Sequence, residues 1–388
     1  MTSISFYFFA GDFADVLTRF SEQRAQIYQT HNEVARLIHQ LVETGLEVQI
    51  NSFVTETQGV AEPMDGVTIK TLGARSYADG ALLKSAVEQD RADMVVAHFA
   101  DFELLDAVSA TDKRAMAIFA NSYNRRNAKA IWERRQVARR LNSDRFEWVS
   151  NHCIPATEHL AALGVERQKL IAWDVPHPFE PSSHAPKTLQ AKDQYSMMYV
   201  GSIQEDKGVG DIIRAIALLR TRGLNLGCTF AGLGDLDGMQ TLGRELGVVD
   251  ALTFVGLIGN PTAFEHMVNS DVVVVPSRQR YTEGFPLTMF EAIASRTPIV
   301  CSDHPMFRLH MIDGMSASVF KGGDSASLAA AIERTLRDAA LYFRLSAAAD
   351  ATWSSLKGPA DWRSMLVHWA VDASPSSWMR QHALMPLP

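Results

Sequence analysis

The chain is short of cysteine and holds no long apolar run. Among its 388 residues the three cysteines, Cys153, Cys228 and Cys301, are odd in number and far apart. That spacing argues against a disulfide framework, offers no metal-ligand pattern, and fits a reducing compartment. The early apolar run, Ile4 to Ala10, has no basic residue before it. It is too short to span a bilayer and lacks a signal-peptide pattern, so it reads as a buried first strand. No other stretch is long enough to span. Neither sign of charge dominates: the formal net charge is −7, with 21% charged and 47% hydrophobic residues. This is ordinary for a soluble globular protein and gives no sign of nucleic-acid binding. Internal repeats and low-complexity tracts are missing too. The length exceeds one typical domain and points to two.

What is there is one grammar used twice. Strand-like runs alternate with helical patterns, as an α/β chain with parallel sheets requires. The first half carries Ile4–Phe9, Val48–Phe53, Met94–Ala97, Ala115–Phe119 and Phe146–Val149, with an amphipathic segment over His31–Thr44. The second carries Met197–Val200, Gly227–Ala231, Leu252–Val255, Val272–Val275 and Ile299–Cys301, with helices over Val209–Arg222, Met239–Leu246 and Ala326–Ala339. Between them lie four prolines within residues 176 to 186, which neither a helix nor a central strand tolerates. The expected organisation is two doubly wound, Rossmann-like domains, 1–180 and 190–360, facing a cleft. A Trp- and Pro-rich tail, 361–388, packs back on the first.

Several motifs carry chemistry. Glu283 and Glu291 sit eight residues apart across a strand-to-helix turn, the edge where α/β sheets bind ligands. Each also has a plainer reading. Thr288 and Glu291 have capping-box spacing at a helix start, and Glu283 reads equally as a solvated loop acid. Gly201 follows a strand and Lys207 lies on the next loop; the pair reads as a phosphate site or as a tight turn with a solvated lysine. Gly232-Leu233-Gly234 is a Gly-rich strand end without the full dinucleotide fingerprint. His98 closes the Met94–Ala97 strand, as a site residue or as a hydrogen-bonded structural histidine. Gly11 follows the first strand. The segment 121–145 holds Arg125, Arg126, Lys129, Arg134, Arg135, Arg139, Arg140 and Arg145 against Glu133 and Asp144, with Trp132 and Val137 as apolar anchors. It suits an anionic membrane surface, a solvated helix face or an acidic partner.

In order, Gly201…Lys207-Gly208, Ala231-Gly232-Leu233-Gly234-Asp235, Phe254-Val255-Gly256, Pro276-Ser277, Glu283-Gly284-Phe285-Pro286-Leu287, Glu291-Ala292 and Pro298-Ile299-Val300 resemble the retaining glycosyltransferases of family 4, with the GT-B fold. The likeness covers roughly residues 195 to 340; the first half matches loosely, through His98. The resemblance implies that Lys207 contacts a donor diphosphate and Glu283 the hydroxyls of the transferred sugar. It implies that Glu291 holds the ribose, amides of Leu287 and Thr288 meet the phosphates, and Gly232 to Gly234 line the nucleotide pocket. His98 would stand near the anomeric carbon and Gly11 near the donor phosphate. The sequence departs from the family where Ser202 replaces an arginine; Arg278 or Arg280 would then compensate. Arg296-Thr297 replaces a usual glycine.

The expected activity is transfer of a hexose from a nucleotide-diphosphate sugar to an acceptor hydroxyl with retention, as in polysaccharide biosynthesis. No metal or other cofactor is expected, and no nucleic-acid partner. The expected location is cytoplasmic, with a possible peripheral contact to the inner membrane face. The rivals are an epimerase or hydrolase acting on nucleotide sugars, and a non-catalytic relative that binds them. A nicotinamide dehydrogenase lacks its Gly-rich first turn here.

Overall fold

A computed structural model of the protein describes residues 2–24, 29–120, 128–281, 283–308, 310–372 and 376–384. Eight strands come first: β1 Ser3–Ala10, β2 Glu47–Val54, β3 Gln58–Met64, β4 Val67–Ala74, β5 Met94–Ala97, β6 Arg114–Phe119, β7 Phe146–His152 and β8 Leu170–Asp174. Six follow: β9 Tyr195–Val200, β10 Leu226–Ala231, β11 Leu252–Gly256, β12 Val272–Val275, β13 Ile299–Ser302 and β14 Ser318–Phe320. A short β15, Ala360–Asp361, comes last.

These strands make two sheets, one of nine strands in the order β15-β8-β7-β6-β5-β1-β2-β4-β3 and one of six in the order β11-β10-β9-β12-β13-β14. The pairings are parallel except β3 with β4. Strands such as Met94–Ala97 and Val272–Val275 are apolar throughout because helices cover both of their faces. The chain divides into Met1–Pro176 with Gly358–Pro388, and His177–Lys357. The first crossing falls inside the proline-rich stretch. The tail returns to the first unit, where β15 pairs with β8 and the Asp174 carboxylate accepts the Gly358 N–H at 3.2 Å.

Each strand named from the sequence is present, with ends moved by a few residues. The hairpin β3–β4, and β8, β14 and β15, were not expected. β3 reads as no strand because nearly all of it is exposed and it carries Pro63. It survives at the sheet edge, where proline is tolerated.

Each sheet reverses its winding once. In the second it happens between β9 and β12, and in the first between β1 and β5. Such switch points open a crevice at the carboxyl ends of the strands.

The glycines of the Ala231-to-Asp235 turn have a structural task. The loops after β9 and β10 run side by side, with Gly201 N–H donating to Ala231 O (3.0 Å) and Ile203 N–H to Leu233 O (2.8 Å). A Cβ on Gly232 would stand 1.9 Å from the Gly201 carbonyl oxygen, on a backbone with φ +145°. Gly232→Ala is therefore expected to destabilise the second unit by about 1–3 kcal/mol. An unchanged urea midpoint would show that the two loops part at no cost.

Candidate active site

Lys207 ends a short 3₁₀ turn after β9, and Glu283 lies on the loop after β12, so the two flank the switch point of the second sheet. Gly208 brings them together. It takes a left-handed conformation (φ +79°) and starts the helix Val209–Thr221, and a Cβ there would sit 2.3 Å from Pro276 O. Without that atom the two loops press close enough for Lys207 Nζ to reach both Glu283 oxygens, at 2.7 and 2.8 Å. Ser277 Oγ donates a further bond to Glu283 at 2.8 Å. Glu283 is buried, and Lys207 lies over the Tyr281 ring at 4.5 Å from its centroid. Neither side chain is the solvated group of the plainer reading. They form a part-buried, charge-assisted pair.

Glu291 lies at the fifth position of the helix Leu287–Ala294 rather than in its first turn. The capping box is absent: Pro286 is the N-cap residue and no side chain caps the helix. The Glu291 carboxyl instead accepts from the Asn260 amide, and burial pushes its pKa above the usual range. The amides of Leu287 and Thr288 belong to the helix start, where N–H groups have no acceptor within the helix. Phe285 is a core residue, packed edge-on against Phe290 and Phe307. It and Pro286 hold the loop end, with Gly284 beside Glu283.

The two compensating arginines are already matched. Arg278 makes a bidentate pair with buried Asp211 (2.8 and 2.9 Å) and a bond to Glu205 (2.6 Å). Arg280 pairs with Asp206. Neither stands as a spare cation for the charge that Ser202 lacks. Ser202 serves through its carbonyl, which accepts the Tyr199 hydroxyl at 2.8 Å.

In the first unit, Gly11 and His98 flank the switch point between β1 and β5. His98 stacks on Phe8 (4.2 Å between centroids) and lies 6.1 Å from Trp362. Its Nε2 is closed off from solvent and has no hydrogen-bond partner among the described residues. Burial pushes its pKa down to about 3, leaving a neutral imidazole.

Among the described residues no group of three His, Cys, Asp or Glu side chains is placed to hold a metal ion, and no helix is long and apolar enough to cross a membrane. Of the basic segment, Arg125 and Arg126 lie outside the described residues. The helix Ala128–Leu141 carries the rest of its centre. Val137 is buried in the core and is no anchor, and Arg140 and Arg145 are paired with Asp106 and Asp112. Trp132 is 57% exposed.

Residues 182–352 match the family model described as glycosyl transferases group 1. That matched stretch lies within the second unit, His177–Lys357. Over 157 residues the chain is 32% identical to D-inositol 3-phosphate glycosyltransferase of Thermomonospora curvata, which covers 38% of this chain and 36% of the relative. The chain thus spans little more than a third of that relative's length. At the level of fold, the whole chain resembles sucrose-phosphate synthase from Thermosynechococcus elongatus, with TM-score 0.64, 17% identity, and 92% and 95% of the two chains covered. It also resembles Anabaena HepE in complex with UDP and glucose (TM-score 0.57, 13% identity, 91% and 95% covered). The two sheets, one in each unit, are those of the GT-B fold, and the Lys207–Glu283 pair lies within the matched residues 182–352.

The His98 environment sets a pH dependence. The folded-state value near 3 lies below the ordinary 6.5, so the unfolded chain takes up a proton that the folded chain refuses. Stability is complete above pH 6.5 and falls as pH drops from there, by about 1.4 kcal/mol per unit from this group alone. Melting temperatures of His98→Phe should fall less steeply with acid than those of the parent. Parallel slopes would show that His98 titrates normally.

Proposed function

We propose that the protein transfers a hexose from a nucleotide-diphosphate sugar to an acceptor hydroxyl with retention of anomeric configuration. The observation that carries this reading is the Lys207–Glu283 pair at the switch point of a group 1 domain, beside the N-terminus of the helix Leu287–Ala294. A diphosphate needs a cation and free amides, and Lys207 and the helix start offer both. Sugar hydroxyls need a fixed acceptor, and Glu283 offers it. Glu291 takes the ribose hydroxyls. His98, as a neutral imidazole, serves a sugar hydroxyl near the reacting carbon. In the reaction the bond from the anomeric carbon to phosphate breaks. A bond to the acceptor oxygen forms on the same face, and the acceptor proton passes to the departing phosphate. Lys207 stabilises the diphosphate as negative charge develops on it. The relative's name, with its inositol phosphate, and the UDP and glucose in HepE favour donors and acceptors of this class.

A second element of the reading concerns place. The helix Ala128–Leu141 buries Val137, Ala138 and Leu141, and Trp132 lies opposite them, at the centre of the outward face. Its neighbours on that face, Arg135 and Arg139, are exposed and meet no carboxylate among the described residues. Trp132 rests edge-on against Phe102 (6.3 Å) and is otherwise largely exposed. An aromatic ring between arginines on an outward face suits an anionic bilayer surface. We place the protein at such a surface on its cytoplasmic side.

Two experiments test these statements. Glu283→Ala should lower transfer from a panel of nucleotide sugars at least ~100-fold while keeping the parent's folded circular dichroism spectrum at the assay temperature, with a lower melting point from the unmatched Lys207. Near-normal turnover would break the assignment, and free sugar or an epimer formed without acceptor would favour the rival enzymes. In sedimentation with phosphatidylglycerol vesicles, Arg135→Ala and Arg139→Ala should each weaken binding about fivefold. Equal binding by the triple variant that adds Trp132→Ala would place the contact elsewhere.

A further inference from the structure

The Lys207–Glu283 pair rests on a loop that ought to be loose. The described residues of the segment 276–286, between β12 and the helix Leu287–Ala294, have no regular structure. The loop start is pinned: Ser302 Oγ donates to Ser277 O at 2.6 Å, and Arg278 is held by Asp211 and Glu205. Its end is pinned by Phe285 in the core. Between these pins stands Tyr281. Its N–H closes a turn onto Arg278 O (3.0 Å), and its carbonyl accepts the Glu283 N–H (3.0 Å). Its ring lies under Lys207. One residue thus sets both members of the pair, Glu283 through the backbone and Lys207 through the ring.

Tyr281 is in turn held by His304, which is fully buried just after β13 and packs on Phe307 at 5.0 Å. His304 Nδ1 accepts the Met306 N–H at 3.2 Å, so Nε2 carries the proton and donates it to Tyr281 O at 3.1 Å. Burial lowers the His304 pKa, in keeping with this neutral tautomer. The Tyr281 carbonyl therefore has two donors, one from the acid that it positions and one from the imidazole that fixes it.

We infer that His304 and Tyr281 are positioning residues for the donor site, with His304 fixing the Tyr281 carbonyl and Tyr281 aligning Lys207 and Glu283. The inference deepens the transferase reading and rests on it for its catalytic consequence, though its geometric half stands alone. Neither residue need touch substrate. A histidine at this place supplies one donor and one acceptor at a fixed separation, which an aliphatic side chain of similar volume lacks.

The test uses His304→Leu and His304→Gln in the full chain, read in two ways. Hydrogen exchange on the free protein reports the Glu283 amide and its loop with no ligand needed. In His304→Leu, exchange over residues 280–286 should rise at least tenfold while the peptides of β9 and β12 stay protected. His304→Gln, which keeps an N–H donor, should restore at least half of the protection. With a nucleotide sugar that the parent turns over, His304→Leu should lose at least tenfold in kcat, with KM changed less than threefold. Unchanged exchange over 280–286 in His304→Leu would overturn the inference, as would a glutamine variant no better than leucine. If the parent transfers no sugar from any donor, the proposed function falls, and the exchange result still decides the positioning.

Discussion

A buried acid and a lysine facing each other across a sheet's switch point are the constraint on which the second unit depends. Taking a carboxylate and an ammonium from water is costly, and the cost is offset only by good geometry and further hydrogen bonds. Here Lys207 reaches both Glu283 oxygens, Ser277 adds a donor, and the Tyr281 ring faces the ammonium. Removing either partner leaves the other charge unmatched, so the loops after β9 and β12 are held to one arrangement. Gly208 makes that arrangement sterically possible, since any side chain there would meet Pro276 O. On the proposed reading, a diphosphate would replace Glu283 as the partner of Lys207, and sugar hydroxyls would replace Lys207 as the donors to Glu283, so that both charges stay satisfied.

The same logic explains why Arg278 and Arg280 are not spare cations. Arg278 lies three residues past the β12 strand end, near the Lys207 loop, and a sequence reading naturally offers it to phosphate. In space it answers Asp211, 67 positions earlier, and Glu205. Asp211 lies buried in the first turn of the helix Val209–Thr221, and an unmatched carboxylate there would be expensive. Arg278 fastens the loop start to that helix. On the proposed reading, the positive charge facing the donor would then fall to Lys207 and the helix amides.

Much of this was legible in order along the chain, and some was not. The strands Met94–Ala97 and Val272–Val275 show themselves because full burial makes them apolar without a break. The exposed β3 and the two-residue β15 leave no such trace. The ordered string from Gly201 to Pro298 located Lys207 and Glu283, since each follows a strand end where ligands gather. It misread the start of the Glu291 helix. Thr288 and Glu291 have capping spacing, but the helix begins at Leu287, directly after Pro286, and this carries both of them past the cap. His304 left no sign at all. Its value lies in a tautomer set by Met306 and a carbonyl 23 residues away, and no local pattern encodes that.

The first unit completes the argument by contrast. Its switch point holds a histidine among aromatic rings, with Phe8 at 4.2 Å and Trp362 at 6.1 Å. An apolar setting keeps an imidazole neutral, and a neutral imidazole offers a donor and an acceptor without a net charge. The two switch points are therefore built for different chemistry. One balances full charges and suits a diphosphate and its sugar. The other holds an uncharged polar group with an unused nitrogen and suits hydroxyls. The family-model match, residues 182–352, falls in the unit that holds the ion pair. On the proposed reading, a diphosphate would constrain its site more tightly than an acceptor alcohol would, and the histidine's unit would be the one that varies with the acceptor.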